Sequence, residues 1–294
     1  MTTKENNWTV DRPSWKQRAT NLVFANPQVT IGLGIIIPVI LLSIFGNMIT
    51  PHDPLTTHPV DRLEPPSGQY PLGTDHLGRD ILSRLFLGGQ TTLLIGFTST
   101  ALAVILGVPI GLVSGYFKGT TDEVLMRIMD IVMSVPTLLL GLLILVALSS
   151  SMFNLIMAIG IVFTPRLARI TRSVTLSESK QSYVLAAKAR GESHIHIMFR
   201  EILPNVKSPI IIESSIRVGY AIMVGASLSF LGLGSGPPYP DWGFMISVAR
   251  QYMYSSPWFL LWPSLALLVV IMATNILGDG LKDALNAETS GERR

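Results

Sequence analysis

The residues that could do chemistry are few in this chain, and its histidines are the first of them. His194 and His196 flank one isoleucine, a spacing that suggests metal binding. On a helix, however, residues two apart point to nearly opposite sides, so these two cannot share one ion. The other histidines lie near two aspartates in a proline-rich stretch: His52, His58 and His76 with Asp53 and Asp75. We interpret them as ordinary loop residues and predict no metal site.

Glu213 and Arg217 form a second grouping. They stand four residues apart in an apolar stretch, a spacing at which opposite charges pair on one helix face. Charges inside a membrane span are costly and therefore informative. Two interpretations stay open: an ion pair that only neutralises both charges, or an arginine that faces a substrate path and holds a substrate carboxylate.

Several catalytic classes are excluded. The chain has no cysteine, so disulfides, thiolate metal sites and thiol nucleophiles cannot form within it. No serine, histidine and carboxylate stand at a spacing typical of hydrolases, and the phosphate-binding pattern G-x-x-x-x-G-K-[ST] is missing. We predict a non-catalytic chain without a cofactor of its own, so any ATP hydrolysis would occur on another subunit.

The elements that carry these residues are predicted to lie in a membrane. Of 294 residues, 48% are hydrophobic and 14% charged, whereas soluble domains are about a quarter charged. Six segments approach the ~20 apolar residues that a membrane helix needs. The predicted spans are 28–50, 90–116, 124–148, 153–172, 208–232 and 257–279, with the polar run SSSMFN (149–154) as the turn between the third and fourth.

The predicted organisation follows from these spans. An N-terminal segment (1–27) and first span (28–50) precede an external proline-rich loop with an amphipathic segment (51–89), a core of five spans (90–280) and a tail (281–294). The core contains a polar segment at 173–207. Sixteen Lys and Arg residues fall on the side that holds both termini and this segment, against four on the other side. By the positive-inside rule, both termini are predicted to be cytoplasmic.

Glycines and prolines indicate how the spans pack. Gly107, Gly111 and Gly115 recur every four residues, which predicts a small-residue surface for close helix contact. Pro109 and Pro136 are predicted to kink their helices.

The external sequence LGTDHLGRD contains further helix signals. Thr74 or Asp75 is a predicted N-cap, and Asp75 with Arg79 a predicted i,i+4 pair. Local capping is favoured over docking of a binding protein.

The cytoplasmic sequence YVLAAKARGESHIHIMFREILPN (183–205) has apolar residues at helical spacing. It predicts two short helices joined at Gly191 and ended by Pro204. Small residues clear a flat face for close approach: Ala186, Ala187 and Ala189. An apolar stripe outside the membrane needs a partner, although a solvated hairpin is the simpler alternative.

This stretch resembles the cytoplasmic coupling motif of ATP-binding cassette (ABC) importer permeases, written EAA, three residues, G, nine residues, I, one residue, LP. The matching positions are Ala186, Ala187, Gly191, Leu203 and Pro204. Leu185 and Glu201 depart from the pattern, which has Glu and Ile there. The stretches YPLGTDHLGRDILSRL, SLSFLGLGSGPPYPDWGFMI and LGDGLKDALNAE resemble signatures of the dipeptide/oligopeptide/nickel subfamily, C-type subunit.

The resemblance implies the type I ABC importer permease fold with six transmembrane helices, in a bacterial or archaeal inner membrane. It implies a second homologous permease, two ATPase subunits that bind ATP and Mg²⁺, an extracytoplasmic substrate-binding protein, a lipid environment and no nucleic acid. The implied cargo is a short peptide, with a nickel chelate, glutathione or another peptide-like solute as alternatives. A secondary transporter driven by an ion gradient is the rival class, and it predicts an internal repeat and broken helices.

Overall fold

The structure is a computed structural model that describes residues 26–50, 52–234, 236 and 239–291. The helices are, in chain order, α1 (Pro27–Ile49), α2 (Ile81–Phe117), α3 (Gly119–Ser134), α4 (Thr137–Leu148), α5 (Met152–Glu178), α6 (Ser182–Ala189), α7 (His194–His196), α8 (Leu203–Phe230), α9 (Trp242–Ala249) and α10 (Pro257–Gly291), with a π-helical turn at Ile197–Ile202 and 3₁₀ turns at Pro59–Asp61 and Arg250–Tyr252. The predicted all-α class is confirmed. Most of the predicted N-terminal segment and the last two arginines of the tail lie outside the described residues.

The described residues contain five helices that are long and apolar enough to cross a membrane: α1, α2, α5, the continuous run from α7 to α8, and α10. α3 and α4 meet that standard only as a pair, and the pair is bent by 91°. Counting it as one span gives the predicted six. The third span is therefore broken, a larger departure than the kink predicted at Pro136.

The break follows from local sequence. A proline disfavours the helical conformation in the residue before it. Val135 accordingly adopts φ −94° and ψ 131°, and α4 starts only after Pro136. Pro109, in contrast, lies inside the continuous helix α2.

α2 begins nine residues before the predicted second span, so the amphipathic external segment is its first two turns. Its N-cap is Asp80, whose carboxylate accepts a hydrogen bond from the backbone N–H of Ser83 at 2.9 Å. The predicted caps Thr74 and Asp75 are therefore wrong, because both lie in the preceding loop. The predicted Asp75–Arg79 pair is confirmed at 2.7 Å.

The glycine surface of α2 packs against α5. A methyl group on Gly107 would lie 2.8 Å from the carbonyl oxygen of Thr164, and one on Gly111 would lie 2.5 Å from that of Ala168. Such distances leave no room for any side chain, so the prediction of close helix contact is confirmed. This contact fixes α5, which carries three of the arginines discussed below.

Candidate functional site

The 183–205 segment forms two helical pieces, as predicted. α6 ends at Ala189, and Gly191 turns the chain with φ +77°. A residue with a β-carbon is strained in that conformation, which explains the glycine. The second piece, however, does not end at Pro204: α7 continues through the π-helical turn into α8.

The π-helical turn explains why Pro204 fails to stop the helix. A proline ring clashes with the carbonyl four residues before it in an α-helix. Here the N–H of Leu203 donates instead to the carbonyl of Met198, five residues back, so the turn is wider. π-helical turns occur mostly as single insertions within α-helices, often at functional sites.

One face of the segment is buried in the chain itself. Val184, Ala187 and Ile197 are fully buried and belong to a cluster that includes Leu112 and Tyr116 of α2. The prediction that Ala187 shares a flat outer face with Ala186 is therefore wrong. Ala187 instead lies in this buried cluster, on the inner face of α6.

The opposite face exposes large apolar side chains. Leu185 is 54% exposed, Ile195 69% and Phe199 44%. The small residues Ala186, Ala189 and Gly191 are exposed beside them. We call this outer face, with Leu185, Ala186, Ala189, Gly191, Ile195 and Phe199, the coupling surface. Of the other residues of the resemblance, Pro204 is exposed and Leu203 is partly buried.

Polar contacts tie the segment to the spans. The hydroxyl of Tyr183 donates to the carboxylate of Glu178 at 2.7 Å and accepts a hydrogen bond from Asn205 at 3.1 Å. Burial, together with that carboxylate, raises the pKa of Tyr183, so its phenol stays protonated at physiological pH. Nδ1 of His194 lies within hydrogen-bond distance, 2.9 Å, of the Tyr116 hydroxyl oxygen.

The histidine pair behaves as its spacing predicts, since His194 and His196 have different partners. His196 lies 3.5 Å from Glu192. The wider π-helical turn also brings Glu201 near, so that the ligand atoms of Glu192, His196 and Glu201 lie within 4.8 Å of one another. Arg190 already donates two hydrogen bonds to Glu192, at 2.9 and 2.7 Å. We interpret this group as an ion-pair network.

Glu213 and Arg217 form the predicted i,i+4 pair on α8. Nε and Nη2 of Arg217 each lie 2.7 Å from Oε1 of Glu213. Arg166 of α5 reaches the same oxygen at 3.5 Å, and sequence spacing could not have indicated this third member. The Glu213 side chain is 11% exposed and that of Arg217 15%, whereas that of Arg166 is 56% exposed.

The other α5 arginines each have a carboxylate on α3. Arg169 pairs with Asp130, and Arg172 pairs with Asp122.

A pocket of about 180 Å³ opens beside Arg166 and Arg217. Its remaining walls come from α5 and from the α3–α4 break: Val132, Met133, Val135, Thr137, Val162 and Phe163. The guanidinium of Arg217 lies over the rings of Phe163 and Tyr220, at 5.8 and 4.9 Å from their centroids. The pocket thus combines two cations with largely apolar walls.

The long apolar helices define a multi-pass membrane protein. Residues 107–291, more than half of the chain, match the family of binding-protein-dependent transport system inner membrane components. Residues 15–66 match the N-terminal TM domain of oligopeptide transport permease C. The chain belongs to the family of binding-protein-dependent transport system inner membrane components.

Characterised relatives align over nearly the whole chain. The chain is 38% identical to the dipeptide transport system permease protein DppC of Alkalihalophilus pseudofirmus, over 96% of this chain and 92% of that protein. It is 37% identical to the glutathione transport system permease protein GsiD of Pectobacterium atrosepticum, over 94% of this chain and 91% of that protein.

A solved structure confirms the fold. A chain of the inward-facing MetNI methionine ABC transporter superposes with a TM-score of 0.56 at 18% identity, covering 68% of this chain and 95% of that chain. The type I importer fold is therefore confirmed. The bent α3–α4 pair is the kind of broken span that the rival secondary-transporter class predicts, so family membership, rather than this geometry, decides between the two.

Proposed function

We propose that this chain is one of two permease subunits in an ATP-driven importer of short peptides. The observation that carries the proposal is its 38% identity to a dipeptide permease over 96% of its own length. A dipeptide permease is expected to keep that similarity along both its spans and its loops, because path and partner surfaces are distributed over the chain.

The coupling surface is the proposed binding site for an ATPase subunit. Its large apolar side chains, Leu185, Ile195 and Phe199, are exposed together, which is unusual on a segment proposed to lie in the cytoplasm unless a partner covers them. Ala186 and Ala189 allow close approach, and Gly191 supplies the tight turn. Ala187, Leu203 and Pro204 are proposed to shape this surface through their positions in α6 and after the π-helical turn.

The partners are proposed to be a second homologous permease, two ATPases that bind ATP and Mg²⁺, and an extracytoplasmic binding protein. ATP-driven closure of the ATPases would move the coupling surface. α5 and α8, which connect directly to it, would then open the path to alternate sides.

The function is tested with the complete transporter in proteoliposomes. Labelled dialanine should accumulate with ATP and not with a non-hydrolysable ATP analogue. Uptake that persists without ATP hydrolysis and follows an ion gradient would reject the proposal in favour of a secondary transporter.

Glutathione is the second candidate cargo, since one relative at 37% identity carries that name. The same vesicles decide between the two. ATP-dependent accumulation of glutathione without dialanine would assign the chain to that transport system.

The proposed orientation places the coupling surface in the cytoplasm and the 52–80 loop outside. Because the chain has no cysteine, single cysteines report sidedness cleanly. Ser67 and Ser193 are both exposed. In intact cells an impermeant thiol reagent should label Ser67→Cys and not Ser193→Cys, and the reverse pattern would invert the topology.

A further inference from the structure

The three charges beside the α3–α4 break do not balance. Arg166 and Arg217 share Glu213, so the group carries one positive charge in excess. The Oε1 atom of Glu213 lies 2.7 Å from both Nε and Nη2 of Arg217 but 3.5 Å from Nε of Arg166. Arg217 is therefore firmly held and Arg166 only weakly.

An excess cation in a membrane span is costly, and such residues mark functional sites. Arg169 and Arg172 follow Arg166 on α5, and each pairs with a carboxylate of α3. Arg166 differs from them because its carboxylate already serves a second arginine. Its side chain is also the most exposed of the three, at 56% against 44% and 34%.

A pocket lies beside this excess charge, and a ligand could bind there. Arg166 and Arg217 both line a space of about 180 Å³ at the break between α3 and α4. Pockets for whole drug-sized ligands are about 300–1,000 Å³, so this space suits one end of a small molecule rather than all of it.

The start of helix α4 adds partial positive charge to the same pocket. It starts at Thr137, which lines the pocket, and the side chain at its N-cap position accepts no hydrogen bond because that residue is Pro136. The first N–H groups of a helix carry partial positive charge. The partial charge at the start of α4 only adds to the charge of the two guanidinium groups, which define the site.

We propose that Arg166 and Arg217 form a carboxylate-binding subsite in the substrate path, at which Arg166 takes the C-terminal carboxylate of a peptide in transit while Glu213 holds Arg217 in place. This inference rests on the proposed peptide-import function. A planar guanidinium binds a carboxylate through two parallel hydrogen bonds, which lysine cannot do. Such a contact would orient a peptide whose side chains vary, because every unmodified peptide ends in the same group.

The test compares dialanine with its C-terminal amide in proteoliposomes that contain the complete transporter. The variants are Arg166→Gln, Arg166→Lys and Arg169→Gln. Arg169 is the matched control, since it lies one turn along the same helix and outside the pocket. Binding-protein selectivity is the same for every variant, so changes in the ratio of acid to amide uptake report the permease.

Arg166→Gln should lower dialanine uptake about tenfold or more, as expected for loss of a charge-assisted hydrogen bond, and should leave uptake of the amide within about twofold. Arg166→Lys should retain part of the preference. Arg169→Gln should keep the wild-type ratio. ATP hydrolysis stimulated by the loaded binding protein should persist in Arg166→Gln, which shows that the variant is folded and coupled.

If Arg166→Gln lowers the uptake of both substrates equally, or of neither, the inference is overturned. Arg166 is then a structural or lipid-contacting residue. A wild-type transporter that imports dialanine with no preference over the amide would also overturn it, while the proposed function stands. Failure of the wild type to import either substrate with ATP would overturn the proposed function and the inference together.

Discussion

The 52–80 loop and the 183–205 segment are both polar interruptions of an apolar chain, yet the first buries charged side chains and the second exposes apolar ones. In the 52–80 loop the charged Asp75 is fully buried and contacts both Arg79 and Arg84. In the 183–205 segment the apolar Ile195 is 69% exposed and Phe199 44%. The loop thus buries charge among polar contacts and exposes an apolar side chain at Val60, whereas the segment exposes large apolar side chains beside the small residues Ala186 and Ala189.

The loop is also closed by its backbone. Gly78 has φ +74°, and a methyl group there would lie 1.8 Å from the carbonyl oxygen of His58. Asp75 accepts backbone hydrogen bonds from Leu77 and Arg79, at 2.8 and 3.0 Å. Polarity alone therefore does not mark a partner surface in this protein. Large exposed apolar side chains that are grouped with small residues are the more informative signal, since single exposed ones are common.

The largest effect is expected from Asp75→Ala. This change leaves Arg84, whose side chain is 3% exposed, without its carboxylate, and breaking a buried ion pair typically costs about 3–5 kcal/mol. The amount of folded protein in the membrane should fall sharply. Asp53→Ala is the control, because Asp53 is exposed and contacts only the nearby N–H of Leu55 in the described part of the chain. Equal levels of the two variants would show that Asp75 does not hold the loop together.

A smaller effect is expected from Ala187→Trp. Ala187 lies on the buried face of α6, in the cluster that includes Leu112 and Tyr116, so the indole would overpack this cluster, at a typical cost of about 1–3 kcal/mol. Thermal stability of the purified chain should fall. Ala186→Trp places the same ring on the exposed neighbour and should leave stability unchanged. If both variants have the same melting temperature as the wild type, the division into a buried and an exposed face is incorrect.

The smallest effect concerns His76 in the external loop. Burial lowers its pKa, against the opposing influence of Asp75, and its ring lies 5.5 Å from Tyr252 and 5.9 Å from Phe259. The unfolded value is about 6.5, so the folded state favours the neutral ring. The stabilisation is therefore complete above about pH 6.5 and is lost as the pH falls through the lower folded pKa.

Protease protection of the external loop should accordingly weaken on acidification. His76→Phe keeps the stacking and removes the titration, so it should flatten the dependence. A variant with the same pH profile as the wild type would assign the effect to other groups.

Periodicity and composition predicted most of the fold. The six spans, the glycine face of α2 and the turn at Gly191 follow from local spacing, because each depends on residues of one or two neighbouring turns. That the glycine face packs against α5 could not be read from that spacing. Pro136 indicated a kink, but the sequence around it does not predict the 91° angle between α3 and α4. That angle depends on how α3 packs against α2 and α5, and how α4 packs against α5 and α8.

The site was only partly predictable for the same reason. Glu213 and Arg217 lie on one helix, so their spacing indicated the pair. Arg166 joins them from a different helix, and no local pattern reports such a contact. Ala187 was misplaced because adjacent alanines look alike in sequence, while tertiary packing decides which of them faces α2. Pro204 was misjudged because a π-helical turn has no simple sequence signature.

The most direct test of the account is whether the coupling surface recruits an ATPase. Ile195→Glu places a charge on this exposed apolar surface, and Val60→Glu makes a similar exchange in the 52–80 loop, where Val60 is 95% exposed. Both variants should reach the membrane at wild-type levels. The amount of ATPase that co-purifies with the permease should fall about tenfold or more for Ile195→Glu, as expected for an anchor residue of an interface, and should not change for Val60→Glu. Wild-type co-purification with Ile195→Glu would contradict the account.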